Sequence, residues 1–365
     1  MSTDAKIRVV LADDSAIARG MLRFIFEEDG GFEVVGEALN GQDAVRLAKE
    51  QHPDLITMDL EMPVMSGFDA IREIMCSRAV PILVVSSVAD AKNAYTAVSL
   101  GAVDVVNKPS RDPADWVEFL AKARMAAKIR VITHLRTLES LKPPAELNSL
   151  PQPAPVSAKP SAWSSWPPPP CVDECAARSV FVIACSTGGP QALATILPRL
   201  PVNFPSPVLI AQHISDGFAA GMAEWLNVLC PLPVTLACAG EPLRPGRITL
   251  APSEYHLQIT TAHRLALIER AAQDIYHPSC DLLLESVAKV YQHNSVGIIL
   301  TGMGKDGVRG MRAIHGAGGH TLAQDEATSV IFGMNRIAIE EGVVEHVVPL
   351  EAIPEQMLRL AGMDA

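Results

Sequence analysis

The chain has 365 residues, of which 48% are hydrophobic and 19% are charged, and its formal net charge is −11. At about 150 residues per domain this length predicts two domains with buried cores. The acidic balance argues against a nucleic-acid-binding protein, which needs basic surface. No basic segment leads into an apolar run at Met1, and no apolar run is long enough to span a bilayer. We therefore expect a cytoplasmic protein that neither binds nucleic acid nor inserts into membranes.

The seven cysteines are an odd number scattered through a long chain, which argues against a disulfide framework. Cys171 and Cys175 lie four apart, but no two further ligands at a zinc-site spacing are evident nearby. Unpaired thiols are therefore expected.

Residues 6 to about 125 alternate short β-branched runs with amphipathic stretches. The predicted strands are Ile7–Leu11, Phe32–Gly36, Asp54–Met58, Ile82–Val85 and Val103–Val106. The predicted helices between them are Ile17–Glu28, Gln42–Glu50, Phe68–Met75 and Tyr95–Leu100. Five such β/α units predict a parallel doubly wound sheet whose ligand site lies at the carboxyl ends of the strands.

Polar residues close several of these strands. Asp59 is placed to accept a phosphoryl group, with Lys108 offsetting its charge and the Ser86 hydroxyl bonding the new phosphate. A single acid at a strand end is usually a solvated loop residue, but the combination on several strand ends favours a shared site. Oxygen ligands suit Mg2+. The metal ligands that we expect are Asp13, Asp14, Asp59 and a backbone carbonyl near Glu61.

The same residues, in this order and with Met62-Pro63, Gly67 and Pro109 among them, resemble the receiver domain of two-component response regulators. The resemblance covers residues 6 to about 125. It implies that a histidine kinase supplies the phosphoryl group and that Asp59 is the acceptor.

A helical pattern over residues 114 to about 141 leads into a stretch rich in Pro, Ser and Ala that ends at Pro167–Pro170. Proline removes backbone donors and favours extended chain, so a packed core is not expected here. We place the receiver domain at 6–125, a linker at 126–178 and a catalytic domain at 179–362. Trp163 and Trp166 in the linker are predicted to dock against a domain, and the alternative that they stay exposed is nearly as well supported by the sequence.

The second half begins another β/α alternation. Its predicted strands are Val180–Ala184, Val208–Ala211 and Val296–Leu300, and a turn-rich stretch from Pro233 to Ile268 predicts inserted antiparallel hairpins. Its predicted helices are Gln191–Leu197, Ala219–Leu229, Cys280–Tyr291, Val308–His315 and Ile337–Glu341. The predicted fold class is α/β with two doubly wound domains: a five-stranded parallel sheet, then a mostly parallel domain carrying a small antiparallel hairpin insertion.

The segment Cys185–Pro190 joins a buried strand to a helix through two glycines. Such a turn brings backbone N–H groups close to an oxyanion at a helix amino terminus. Ser186 is therefore a candidate nucleophile, although a Ser-Thr-Gly-Gly string alone could equally be a phosphate loop.

Two further residues suggest a catalytic triad. His213 ends the next strand and is placed to take the proton of Ser186, while Asp306 follows a third strand and is placed to orient the imidazole. A lone Asp in a glycine-rich loop is usually a turn former, but all three residues fall at one edge of the predicted sheet. The order Ser, His, Asp excludes the α/β-hydrolase fold rather than the chemistry. The predicted oxyanion-hole donors are the backbone N–H groups of Thr187 and Met303.

Taken together, the two halves of the chain resemble the chemotaxis response-regulator methylesterases of the CheB family. The strings that carry the resemblance run from about 180 to 345: Ser186–Pro190, Gln212-His213, Leu250–Pro252 with His256-Leu257, Thr301–Gly307, Ala323–Asp325 with Thr328-Ser329, and Gly333-Met334. The resemblance implies catalysis by Ser186, His213 and Asp306, without a cofactor for the esterase. It also implies hydrolysis of glutamyl methyl esters on chemoreceptors, with release of methanol, and deamidation of particular receptor glutamines. We expect a monomer.

Three positions depart from the family pattern. Cys185 stands where a small alanine is expected, Ile214 follows His213 where methionine-proline is typical, and Asn335 stands where proline is usual. A non-enzymatic adaptor is the alternative from another class, and the intact Ser, His and Asp speak against it. A transcription factor would need a basic recognition helix after the receiver, and none is evident in the sequence.

Overall fold

The structure is a computed structural model that describes residues 5–87, 91–129, 131, 179–271, 274 and 276–363. Most of the predicted linker, with Trp163, Trp166, Cys171 and Cys175, lies outside these described residues. In the part of the chain that is described, no helix is long and apolar enough to cross a membrane.

The first domain is a five-stranded parallel sheet with the strand order β2-β1-β3-β4-β5. The strands are β1 Ile7–Ala12, β2 Phe32–Ala38, β3 Leu55–Met58, β4 Ile82–Ser86 and β5 Asp104–Asn107. The helices are α1 Ala16–Asp29, α2 Gly41–Gln51, α3 Gly67–Ser77, α4 Ala91–Ser99 and α5 Pro113–Ala126. The predicted doubly wound receiver fold is confirmed.

Local sequence sets the helix boundaries of this domain. The side chains of Ser15, Asn40 and Ser66 accept hydrogen bonds from backbone N–H groups of the first turns of α1, α2 and α3. Helix α1 ends at Asp29 and is capped by Gly30, whose φ of 72° suits glycine. Since each helix begins close to a strand's carboxyl end, the strand-end side chains are left free to meet at one edge of the sheet.

The second domain is a seven-stranded parallel sheet with the order β14-β13-β12-β6-β7-β9-β8. Its strands are β6 Val180–Cys185, β7 Val208–Gln212, β8 Val234–Leu236, β9 Ile248–Leu250, β12 Ser295–Ile299, β13 His320–Gln324 and β14 His346–Val348. Its helices are α6 Gly189–Ile196, α7 Ala219–Leu229, α8 Cys280–Tyr291, α9 Val308–Gly316, α10 Met334–Glu340 and α11 Ile353–Leu360. The central β6, β7 and β12 are wholly buried, as their unbroken apolar runs predict.

The antiparallel insertion is smaller than the sequence suggested. Among the described residues of this stretch, β10 Tyr255–Ile259 and β11 Leu265–Glu269 form the one antiparallel hairpin. The rest of the stretch that begins at Pro233 contributes β8 and β9 to the parallel sheet. Three-residue strands carry no usable periodicity, so turn residues dominated the sequence pattern. The edge strand β14 and its neighbour β13 were not predicted.

The two domains contact each other through α4 and α5. Tyr95 of α4 is buried and stacks on Trp225 of α7, with ring centroids 5.7 Å apart. Lys122 of α5 is buried, and its ammonium lies 3.4 Å from the Ser215 hydroxyl. One apolar cluster therefore continues from the first domain into the second.

Candidate active site

Ser186 lies immediately after β6, and backbone contacts fix its position. Its N–H donates to the Thr301 carbonyl at 3.0 Å, and its carbonyl accepts from the Gly189 N–H at 2.8 Å and from Gln212 Nε2 at 2.9 Å. Gly188 has a φ of +81°, and a Cβ there would come within 2.6 Å of a Val330 carbon. A larger residue at Gly188 would therefore displace the turn that presents Ser186.

His213 follows β7, and its Nε2 lies 2.8 Å from Asp306 Oδ2. A carboxylate can only accept, so Nε2 carries the proton and Nδ1 keeps its lone pair. The imidazole also stacks on Tyr276, with centroids 5.0 Å apart and planes at 18°. These contacts fix both the tautomer and the plane of the ring.

The amino terminus of α8 surrounds the Asp306 carboxylate. It accepts bonds from the backbone N–H groups of Cys280 at 2.7 Å and Asp281 at 3.0 Å, and from the Ser279 hydroxyl at 3.1 Å. Burial would raise the pKa of Asp306, but the contact with His213 and the two amides outweigh burial and hold this pKa below its ordinary value. Asp306 is therefore a stable carboxylate beside the imidazole.

Ser186 and His213 line one cavity of about 430 Å³, together with Met303, Gly304 and Tyr276. Among the described residues no hydrogen bond joins the Ser186 hydroxyl to the imidazole. Catalytic contacts often tighten only when substrate is bound. The structure thus places the predicted nucleophile and base in one cleft, and pairs the base with the predicted acid.

The predicted oxyanion-hole donors lie on two neighbouring loops. The Thr301 hydroxyl donates to the Thr187 carbonyl at 2.9 Å and accepts from the Ile331 N–H at 2.8 Å. Within the described part of the chain, no acceptor is paired with the backbone N–H of Thr187 or of Met303. Both amides therefore stay candidates for the predicted oxyanion hole.

Sequence reasoning missed the residues that support the triad. Tyr276, Thr301 and the start of α8 were given no role. The string Pro278–Asp281 does carry a helix-start pattern, because serine is a favoured N-cap. That pattern predicted a helix but gave no sign that the helix points at Asp306.

The second predicted site lies at the carboxyl edge of the first sheet. Lys108 Nζ contacts Asp59 Oδ2 at 2.7 Å and Asp13 Oδ2 at 2.8 Å. Carboxylate oxygens of Asp13, Asp14 and Asp59 all lie within 4.8 Å of one another. Burial raises the pKa of Asp59, and the charge of Asp13 adds to this rise, although Lys108 opposes it. Three clustered carboxylates against one ammonium are a donor set that fits Mg2+.

The remaining predicted residues of this edge differ in their surroundings. Ser86 is fully buried, and its hydroxyl has no hydrogen-bond partner among the described residues. Glu61 is exposed in the loop between Asp59 and α3. A buried hydroxyl without a partner is costly, so Ser86 is suited to a ligand that can accept its hydrogen bond.

Comparison with known proteins assigns both domains. The pattern of the family described as CheB methylesterase matches residues 181–357, and that of the response regulator receiver domain matches residues 9–120. A protein-glutamate methylesterase/protein-glutamine glutaminase 3 of Paramagnetospirillum magneticum is 51% identical over 99% of this chain and 98% of its own length. The chain belongs to the CheB methylesterase family. It is a hydrolase with an attached response-regulator receiver domain.

Other members of the CheB family match over the same span. A protein-glutamate methylesterase/protein-glutamine glutaminase 2 of Anaeromyxobacter dehalogenans is 40% identical over 98% of each chain. Among solved structures, the Thermotoga maritima CheB methylesterase catalytic domain is 37% identical, with a TM-score of 0.48, and covers 50% of this chain and 98% of that chain.

The three departures from the CheB pattern have different surroundings. Cys185 is fully buried, and burial raises the pKa of its thiol. Ile214 is buried and lines the Ser186 cavity. The buried Asn335 amide donates to the Gln324 carbonyl at 2.9 Å and to the Ser329 hydroxyl at 2.8 Å. Asn335 therefore supplies bonds that a proline could not make.

Proposed function

We propose that this chain is a phosphorylation-activated protein-glutamate methylesterase and protein-glutamine glutaminase that acts on chemoreceptors in the cytoplasm. The observation that carries the proposal is one cleft lined by Ser186, His213 and Met303, with His213 paired to Asp306. Among the described residues, the backbone N–H groups of Thr187 and Met303 have no acceptor. Full-length relatives that are 51% and 40% identical bear these activities in their names.

In the proposed mechanism, the Ser186 hydroxyl attacks the carbonyl carbon of the glutamyl ester while His213 Nδ1 takes its proton. The carbonyl oxygen becomes an oxyanion that accepts hydrogen bonds from the N–H groups of Thr187 and Met303. Asp306 stabilises the imidazolium formed in this step.

Collapse of the tetrahedral intermediate breaks the bond to the methoxy group, which leaves as methanol with the proton from His213. Water then attacks the acyl-serine with His213 again as base, and glutamate and Ser186 are released. With a glutamine side chain the leaving group is ammonia. Because an amide has the poorer leaving group, deamidation depends more on the acid role of His213.

The regulatory part of the proposal rests on α5. Five of its residues line the cavity that also contains Ser186 and His213: Val117, Glu118, Ala121, Lys122 and Met125. The receiver domain therefore covers part of the cleft through α5. We propose that phosphorylation of Asp59 weakens the contact of α5 with the esterase domain and so admits substrate.

The receiver residues have separate roles in this scheme. Asp59 accepts the phosphoryl group from a histidine kinase, Lys108 offsets its charge and Ser86 donates a hydrogen bond to it. Mg2+ held by Asp13, Asp14, Asp59 and a carbonyl near Glu61 would offset the negative charge of the incoming group. Once the Ser86 hydroxyl is drawn to the phosphate, the carboxyl end of β4 moves with it, and α4 is the next helix in the chain.

The test is methanol release from methylated receptor membranes, with and without a small phosphodonor. We expect the donor to raise the rate for the wild-type chain, to have no effect on Asp59→Asn, and to leave Ser186→Ala without turnover. Receptor binding should survive in Ser186→Ala.

Two results would overturn parts of this proposal separately. Equal rates with and without the donor in the wild type would remove the regulatory role of Asp59 while leaving the esterase intact. Absence of hydrolysis by the wild type, with receptor binding retained, would instead make the chain an adaptor.

A further inference from the structure

The residues of α5 that face the cleft lie on one side of the helix. Val117, Ala121 and Met125 are spaced by four residues, and Glu118 and Lys122 lie next to the first two. Residues four apart in a helix are neighbours on one face. One face of α5 thus forms one wall of the cavity of about 430 Å³ that Ser186 and His213 also line.

Ala121 is the smallest residue on this face and lies one turn from both Val117 and Met125. A helix that carried a longer side chain at this position would direct that side chain into the cavity, because side chains project outward from the helix axis. The cavity is where the glutamyl ester must meet Ser186 and His213. A substrate helix lying where α5 lies can therefore deliver the ester from the position of Ala121.

Glu118 makes a specific contact with the esterase domain three residues before Ala121. Its Oε2 lies 3.6 Å from Nε2 of His277, which is itself largely buried, with its side chain 12% exposed. Burial alone would raise the pKa of Glu118, but the contact with His277 and the charge of Lys122 outweigh it and lower this pKa to about 2. The cleft rim therefore holds Glu118 as a carboxylate.

His277 is prepared for this contact by the esterase domain alone. His277 Nδ1 lies 3.3 Å from Arg270 Nη1 and 3.7 Å from Asp216 Oδ1. The guanidinium is the nearer group and can only donate, so we assign Nδ1 as the acceptor and the proton to Nε2. Arg270 is held in turn by Asp216 Oδ1 at 2.5 Å and the Ser253 carbonyl at 3.0 Å. When α5 leaves, an N–H donor remains aimed at the rim of the cleft.

We infer that α5 imitates the substrate helix, and that His277 is a specificity residue that binds an acidic side chain three positions before the reactive glutamyl ester. The preferred substrate is then a helical segment with the pattern acidic-x-x-Glu ester, running in the direction of α5. This inference rests on the proposed esterase function and adds a recognition site to it.

The test compares three synthetic helical peptides that each carry one glutamyl methyl ester. The first has Glu three positions before the ester, the second has Gln there, and the third has that Glu three positions after the ester. With the full chain and a small phosphodonor, we expect kcat/KM for the first peptide to exceed both others by about tenfold, the effect of one hydrogen bond to a charged group. In His277→Gln the ratio of the first to the second peptide should fall to about one, whatever the absolute rates are.

Binding of the same three peptides to Ser186→Ala, and to Ser186→Ala combined with His277→Gln, gives a readout that does not need turnover. The affinity ratio should follow the same order and collapse with His277→Gln. Equal constants for the first two peptides in the wild type, an equal benefit from Glu after the ester, or a preference retained in His277→Gln would each overturn the inference. Loss of hydrolysis of every ester, with the binding preference intact, would count against the proposed catalysis and support the recognition site.

Discussion

At the scale of single residues, Thr301 connects the two loops that form the proposed oxyanion hole. Its hydroxyl bonds the Thr187 carbonyl and the Ile331 N–H, and the side chain is fully buried. Its backbone carbonyl accepts from the Ser186 N–H. One threonine thus sets the position of the nucleophile relative to both predicted donors.

We predict that Thr301→Val lowers kcat for ester hydrolysis by about tenfold or more, because the Thr187 and Met303 amides lose their alignment. It should also lower the free energy of unfolding by about 1–3 kcal/mol, since a buried N–H and a buried carbonyl lose their partner. Methanol release and chemical denaturation check both effects. Thr301→Ser keeps the hydroxyl and should stay near wild type, and an unimpaired kcat in Thr301→Val would contradict the prediction.

Glu118 gives a pH dependence whose sign follows from its pKa. The pKa in the folded chain is about 2, below the ordinary value of 4.5. Its contribution to stability is therefore present above the ordinary value and is lost as the pH falls toward the folded value. We predict that wild type melts at a higher temperature than Glu118→Gln near neutral pH, and that this difference shrinks steadily below pH 4.5. Because both chains share all other titrating groups, the effects of acid on those groups cancel in the comparison. A difference in melting temperature that grows as the pH falls would contradict the lowered pKa of Glu118.

At the scale of elements, two helices of the receiver contact the second domain at different places. Helix α5 covers the cleft, whereas α4 packs on α7 away from it through Tyr95 and Trp225. Helix α4 is the next helix in the chain after the β4 end that carries Ser86. An aromatic pair of this kind contributes about 0.5–1.5 kcal/mol beyond its buried area.

We predict that Tyr95→Ala raises the esterase rate measured without phosphodonor, because loss of this stacked pair favours departure of the receiver from the cleft. The further rise on adding phosphodonor should become smaller. Tyr95→Phe keeps the ring and should behave like wild type. The measurement is the esterase rate of wild type, Tyr95→Ala and Tyr95→Phe with and without phosphodonor. An unchanged basal rate in Tyr95→Ala would mean that the Tyr95–Trp225 pair contributes to stability alone.

At the scale of the whole molecule, the chain contains two centres with different chemical needs. The receiver edge gathers three carboxylates around one ammonium, which is a donor set for a divalent cation. The mechanism proposed for the esterase cleft uses a hydroxyl, an imidazole and backbone amides. The two centres are linked through α4 and α5 rather than by shared residues.

We predict that chelation of divalent cations abolishes the stimulation by phosphodonor but leaves the unstimulated rate of ester hydrolysis unchanged. The physical reason is that phosphoryl transfer to Asp59 needs a cation to offset charge, whereas Ser186 needs only His213. Rates before and after chelation, and after adding back Mg2+, measure this separation. Loss of the unstimulated rate on chelation would show that the esterase itself depends on a cation.

The sequence by itself determined the family, the fold class and the edge at which each predicted site residue lies. Parallel β/α units place the carboxyl ends of their strands at one edge of the sheet. The strand boundaries alone therefore grouped Asp59 with Lys108 in the first domain, and Ser186 with His213 in the second. The glycines that follow Thr187 likewise predicted a sharp turn between strand and helix, because glycine adopts conformations that other residues avoid. The catalytic roles of these residues stay predictions that turnover measurements decide.

Only the tertiary structure decided which atoms meet. The bond from His213 Nε2 to Asp306, the amino terminus of α8 aimed at that carboxylate, and the position of α5 over the cleft join residues far apart in the chain. Local periodicity reports which face of an element is buried, but it does not report which distant element covers that face. Those long-range contacts set the tautomer of His213, keep Asp306 charged and place α5 over the cleft.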